Sequence, residues 1–113
     1  MPTLALAQAE HLVVETLTRC RTEQSNAQAV ARGLVAAEAD GLKGHGLSRV
    51  PSYAAQAKVG KVDGFARPAL TRPRPGLIAV DAANGFAFPA IEMAETVLPD
   101  AARQQGVAWP GTR

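Results

Sequence analysis

The sequence predicts a mostly α-helical chain with one or two short strands, and a sheet left incomplete within its 113 residues. Three observations predict this. Apolar residues recur at helical spacing through four separate stretches. Hydrophobic residues make up 47% of the chain and aromatics only 4%, so much of the core must be alanine, which buries little area per residue. Only "LIAVDA", residues 77–82, reads as a short buried strand. One strand cannot make a sheet, so either the domain is mostly helical or the chain stops before its sheet is built, and the shallow core favours the second.

The elements follow in order. After a brief polar–apolar alternation in "TLAL" (residues 3–6), "AQAEHLVVETLTRC" places Ala9, Leu12, Val13 and Leu17 on one helical stripe. "RTEQ" is a polar break. Ser25 then stands as an N-cap with Gln28 three residues on, the spacing of a capping box. The helix it opens carries Val30, Leu34 and Ala37 on one side and stops near Gly41. Gly41, Gly44 and Gly46 make a loop of residues 41–48. A third helix starts near Ser48, tolerates Pro51 in its first turn and ends before Gly60. "KVDGFARPALTRPRPG" reads as an irregular extended connection. "NGFAFPAIEMAETVLPDAARQQG" is helical again, with Pro99 expected to kink or end it and Gly106 closing the segment. "VAWPGTR" is too short to complete a sheet.

Composition narrows the function classes. The net charge of +2 is spread along the chain rather than gathered on one face with aromatics, so no nucleic-acid partner is expected. The single Cys20 rules out an internal disulfide framework, and no metal cluster is expected. No apolar run approaches the ~20 residues that span a bilayer, and the N-terminus lacks a signal-peptide pattern. The expectation is a cytoplasmic protein with no membrane partner.

The loop "ADGLKGHGLSRVPSY", residues 39–53, places His45 between two glycines with Arg49 four positions on. Reducing a small 2-oxo acid needs a cation for the carboxylate, best supplied by the planar fork of an arginine. It also needs a proton delivered to the carbonyl oxygen, a task that suits histidine near neutral pH. Glycines let backbone and substrate approach closely. The plainer reading has both side chains as solvated loop residues, and on spacing alone it is the more common outcome. His11 reads as a packed or surface residue of the first helix, Tyr53 as core, Lys43 as solvated, and Asp40 as part of a helix's last turn. Trp109 reads as exposed.

"AAEADGLKGHGLSRVPSYAAQAKVGKVDG", then "ARPALTR", "IAVDAANGF" and "AARQQGVA", resemble the N-terminal part of the malate/L-lactate dehydrogenase family. This family comprises NAD(P)-dependent oxidoreductases without a Rossmann fold, and it includes reductases of cyclic imine carboxylates. The resemblance runs from about residue 6 to residue 108. It implies an α/β fold, of which residues 1–62 are a helical substrate-side subdomain. Residues 63–76 would be a Pro/Gly-rich connection, and residues 77–113 the truncated start of a sheet domain.

The resemblance further implies hydride transfer between nicotinamide and a 2-hydroxy/2-oxo acid or a cyclic imine 2-carboxylate. His45 would give the proton and Arg49 would bind the substrate carboxylate. NAD or NADP would be held by residues outside this chain, in a homodimer when full length. Many members carry serine immediately before the histidine, whereas this chain has Gly44, so a serine–histidine–aspartate relay does not transfer. Pro99 interrupts a helix the family keeps continuous, and Pro110 and Gly111 stand where strand residues belong. Such an ending is expected of a truncated or frameshifted reading frame, and reductase activity is not expected of the isolated chain. The alternative is a small helical interaction module without catalytic activity, for which the His45 loop is only a connection.

Overall fold

A computed structural model describes residues 5–112, so the alternation at residues 3–6 lies largely outside the described residues. The chain divides into two compact units, the first ending at Phe65 and the second beginning at Ala66.

In the first unit, α1 (Leu6–Thr18) begins where the Ala5 N–H donates to Gln8 Oε1 at 3.0 Å. This side-chain acceptor satisfies a donor that the helix itself leaves open. Ala9, Val13 and Leu17, each four residues apart, form its buried stripe, while Leu12 is exposed. The covered face is therefore narrower than the sequence predicts, one row of side chains rather than two.

α2 (Gln24–Ala39) starts two residues earlier than the Ser25 capping box implies. Glu23 is the N-cap, its carboxylate accepting from the Asn26 N–H at 3.3 Å and from the Ser25 hydroxyl. An acidic side chain placed there meets the positive end of the helix dipole. Ala27, Val30, Ala31 and Leu34 are almost wholly buried. α2 ends with Gly41 at φ +81°, where a side chain would be strained. The Leu42 N–H donates to the Ala37 carbonyl and that of Gly41 to the Glu38 carbonyl, the paired bonds of a Schellman ending.

Two 3₁₀ turns, Lys43–His45 and Leu47–Arg49, then lead into α3 (Val50–Lys58), with Pro51 in its first turn and Ala54 and Ala57 buried. The unit closes on the α1–α2 junction. The Gly64 carbonyl accepts from the Glu23 N–H at 2.9 Å and from Asn26 Nδ2 at 3.0 Å. A Cβ at Gly64 would lie 2.2 Å from the Arg21 carbonyl oxygen, so only glycine fits.

The second unit is a three-stranded sheet with one helix packed on it. β1 (Ala69–Arg74) and β2 (Leu77–Asp81) are antiparallel neighbours, and β3 (Trp109–Thr112) pairs parallel to the other side of β2. α4 (Ala87–Gln105) makes the connection that a parallel pair requires. Alternation along β2 buries Ile78 and Val80, which pack with Ala82, Ala90, Ala94 and Ala101.

Three expectations are corrected here. The connection over residues 63–76 contains β1, and its Pro73 is tolerated because β1 is an edge strand with an irregular register between Thr71 and Arg74. Pro99 does not end α4, which continues six residues past it. Its position is exposed, and buried Ala94 and Ala101 hold the helix on the sheet from either side of it. The final stretch also forms a strand, so the sheet has three strands where one or two are expected. Trp109 donates its N–H to the Gly76 carbonyl at 2.8 Å. By alternation, the position where Pro110 lacks an N–H faces away from β2, so the ladder loses nothing to it.

Candidate functional site

The GHG loop hangs from the end of α2, and its geometry is set by hydrogen bonds rather than by apolar packing. His45, Ser48 and Arg49 are all exposed. The His45 N–H donates to the Leu42 carbonyl at 2.9 Å, and the Arg49 N–H to the Gly46 carbonyl at 3.0 Å. Each bond closes one 3₁₀ turn, and runs so short have little stability of their own.

Three side chains reinforce them. Ser48 Oγ donates to the Lys43 carbonyl at 2.7 Å. Arg49 Nε donates to the Gly44 carbonyl at 2.7 Å. Glu38 Oε1, reaching from the last turn of α2, accepts the Leu47 N–H at 3.0 Å.

The Arg49–Gly44 bond is the informative one. It returns the guanidinium to the residue immediately before His45, so the two sequence-predicted site residues share one small loop. Nε is spent on the carbonyl, which leaves the two terminal amino groups of the fork to face an anion. A fork of this shape can grip a carboxylate.

Gly46 is buried against Glu38. A Cβ there would lie 2.8 Å from Glu38 Oε1 and 3.1 Å from Glu38 Cα. Gly44 is open, with nothing within 4 Å of where a Cβ would stand. A serine at that position, common in the family that the sequence resembles, would therefore meet no steric obstacle.

The other singled-out residues lie apart from this arrangement or only frame it. His11 is exposed on α1, 3.8 Å from Glu15, which also pairs with Arg19 at 2.7 Å. Tyr53 is half-buried on α3. Lys43 lends its carbonyl to Ser48, and Asp40 caps the end of α2. Trp109, in the second unit, is 68% exposed. Glu38, which holds the loop, carries no sequence signal, since an acidic residue in the last turn of a helix is ordinary.

A cleft of about 750 Å³ between α1 and α2 is lined by residues including Glu10, His11, Gln28 and Arg32, and by neither His45 nor Arg49. Among the described residues, no group of three His, Cys, Asp or Glu gathers as metal ligands. No helix among them is long and apolar enough to cross a membrane.

Comparison with known proteins identifies the family of the chain. The Δ1-pyrroline-2-carboxylate reductase of Ancylobacter novellus is 40% identical over 105 residues, covering 93% of this chain and 31% of the relative. The NADP⁺-dependent (2R)-3-sulfolactate dehydrogenase of Chromohalobacter salexigens is 46% identical over 88 residues, 78% of this chain and 26% of the relative. The crystal structure of Δ1-piperideine-2-carboxylate reductase from Pseudomonas syringae pvar. tomato superposes with a TM-score of 0.94 at 34% identity. That match covers all of this chain and 34% of the other. The chain thus spans about a third of the length of the relatives it matches. Its sequence fits the malate/L-lactate dehydrogenase profile over residues 4–113, and the chain belongs to that family.

Proposed function

We propose that this chain is the substrate-side part of an NAD(P)-dependent oxidoreductase acting on a small 2-carboxylate, either a 2-hydroxy/2-oxo acid or a cyclic imine. The observation that carries the reading is the 2.7 Å bond from Arg49 Nε to the Gly44 carbonyl, which ties a carboxylate-binding fork to the backbone beside His45. The names of the relatives support it, one a reductase of pyrroline-2-carboxylate and one a sulfolactate dehydrogenase. In this reading residues 1–62 form the substrate-side subdomain. A homodimer and a cytoplasmic location belong to the same proposal.

The donor set fits the substrate side of such a reaction: one planar cation, one imidazole, and glycines that admit close approach. When bound, nicotinamide supplies the hydride to the substrate's C2 or accepts it back. Arg49 holds the carboxylate through its terminal amino groups and so fixes where C2 lies relative to His45. As C2 gains the hydride, the C=O or C=N π pair moves onto the heteroatom, and the His45 imidazolium gives that atom its proton. In the reverse direction neutral imidazole takes the proton back. Positioned acid–base groups of this kind contribute on the order of 10²–10⁴ in rate.

The test joins residues 1–113 to the remaining portion of the Pseudomonas piperideine reductase. Consumption of NADPH is then followed with pyruvate, oxaloacetate and Δ1-piperideine-2-carboxylate. The chimera is expected to turn over at least one of them, and the isolated chain none. His45→Ala should lower kcat on the order of 10²-fold or more with little change in cofactor affinity. Arg49→Ala should weaken carboxylate binding first, by about 2–5 kcal/mol. A folded chimera whose activity survives both substitutions refutes the assignment.

A further inference from the structure

The loop that bears His45 and Arg49 consists of two 3₁₀ turns and three glycines. Such a segment has no reason to keep one geometry unless something outside it holds it. Most of the bonds described above do not supply that hold. Those of Ser48, Arg49 and the backbone of His45 begin and end between residues 42 and 49, so they shape the loop without fixing where it points. The Schellman bonds at Gly41 and Leu42 tie down its start only.

Glu38 is different. Its backbone belongs to α2, and its carboxylate crosses to the midpoint of the loop, accepting the Leu47 N–H at 3.0 Å in partly buried surroundings. Leu47 is the first residue of the second 3₁₀ turn, so its N–H is one the turn cannot satisfy itself. A charged acceptor makes that bond stronger than a neutral one would. Gly46 lies flat on the same side chain, with room for no Cβ above Glu38 Oε1, Cβ and Cα. The hydrogen bond and the contact therefore converge on Gly46 and Leu47, two of the three residues between His45 and Arg49.

We infer that Glu38 is a positioning residue for the reaction. Its carboxylate, bonded to the Leu47 N–H beneath Gly46, holds the middle of the loop to α2 and so fixes where His45 and Arg49 together point. This rests on the function proposed above for those two residues, but the anchoring itself does not, and the two are read separately. Glu38 touches no substrate in this account, so its loss should act through Arg49 and His45.

The experiment has two arms. Amide hydrogen exchange is measured residue by residue on the chain and on Glu38→Ala and Glu38→Gln. Glu38→Ala should speed exchange at Leu47 on the order of 10-fold or more, with Arg49 following, while the α1 and α2 core amides at Val13, Val30 and Leu34 keep their rates. Glu38→Gln keeps an acceptor of nearly the same reach and should restore most of the protection. Should Glu38→Ala not fold, Glu38→Asp, which draws the acceptor back by one methylene, gives the same reading. Unchanged exchange at Leu47 in a folded variant overturns the anchoring.

The second arm titrates the chimera with pyrrole-2-carboxylate, a stable planar carboxylate probe, and measures kcat and KM. Glu38→Ala should weaken the probe and raise KM by about the same factor, with Glu38→Gln between it and wild type. A merely structural role would instead lower the folded fraction and leave KM unmoved, and that result overturns the positioning role. If the unsubstituted chimera binds no probe, the functional reading fails and the positioning role falls with it. The exchange arm still decides whether Glu38 anchors the loop.

Discussion

Gly44 and Gly46 flank His45 and meet opposite surroundings, which makes them a sharp test of the loop's construction. A side chain at Gly44 would enter open space, and its φ lies outside the left-handed region. Gly44→Ser should therefore change stability by no more than about 0.5 kcal/mol while placing a hydroxyl next to His45. Gly46→Ala should cost roughly 1–3 kcal/mol, the range for overfilling a packed site, because the new Cβ meets Glu38 Cα at 3.1 Å and helix backbone cannot yield. Urea unfolding of the two variants checks the contrast, and equal midpoints would refute it. At this scale the sequence is informative where residue type is unusual for its setting. A histidine between glycines with an arginine four residues on stands out in one dimension. Glu38 does not, because its role depends on a chain reversal at Gly41 that brings residue 47 back over residue 38. Nothing in the local spacing marks that return.

Among the elements, the helices are legible and two of the three strands are not. The period of the apolar residues, with Gly41, Gly60 and Gly106 as stops, locates α1 to α4 because a helix makes its bonds within its own segment. β1 and β3 contain Pro73, Pro110 and Gly111, residues that argue against a strand until the partner is known. Both pair with β2 as edges, where a missing N–H can face away from the ladder. Pro99 misleads in the same way. A proline costs a helix one hydrogen bond and some crowding, but burial of Ile78 and Val80 under Ala94 and Ala101 outweighs the local preference. α4 therefore carries a cost that a substitution can remove. Pro99→Ala should raise stability by about 1–3 kcal/mol, up to the full helix-interior difference between the two residues. The check is the urea midpoint together with helical circular dichroism, and a lower midpoint would show that the exposed proline ring stabilises more than it costs.

For the molecule as a whole, the low aromatic content has a consequence that the burial pattern makes specific. The largest side chains buried almost completely are few, Leu17, Val30 and Leu34 in the first unit and Ile78 and Val80 in the second. Domains of this size hold only a modest margin, about 5–15 kcal/mol at most, and units below ~70 residues usually hold less. Removing one large side chain leaves a cavity that its alanine neighbours cannot reach across to fill. Ile78, 1% exposed and central in β2, is the sharpest case in the second unit. Ile78→Ala should cost about 2–5 kcal/mol, because Ala82, Ala90, Ala94 and Ala101 cannot extend into the space and only the partly buried Leu70, Met93, Val97 and Leu98 packed against the cluster can move toward it. A loss of that size takes most of the unit's margin. The expected outcome is lost amide protection across β2 and α4 at temperatures where the wild-type chain is still folded. A cost under about 1 kcal/mol would mean that the sheet settles onto α4 to close the gap, where such sites usually relax only in part, and the picture of a rigid core would have to be given up.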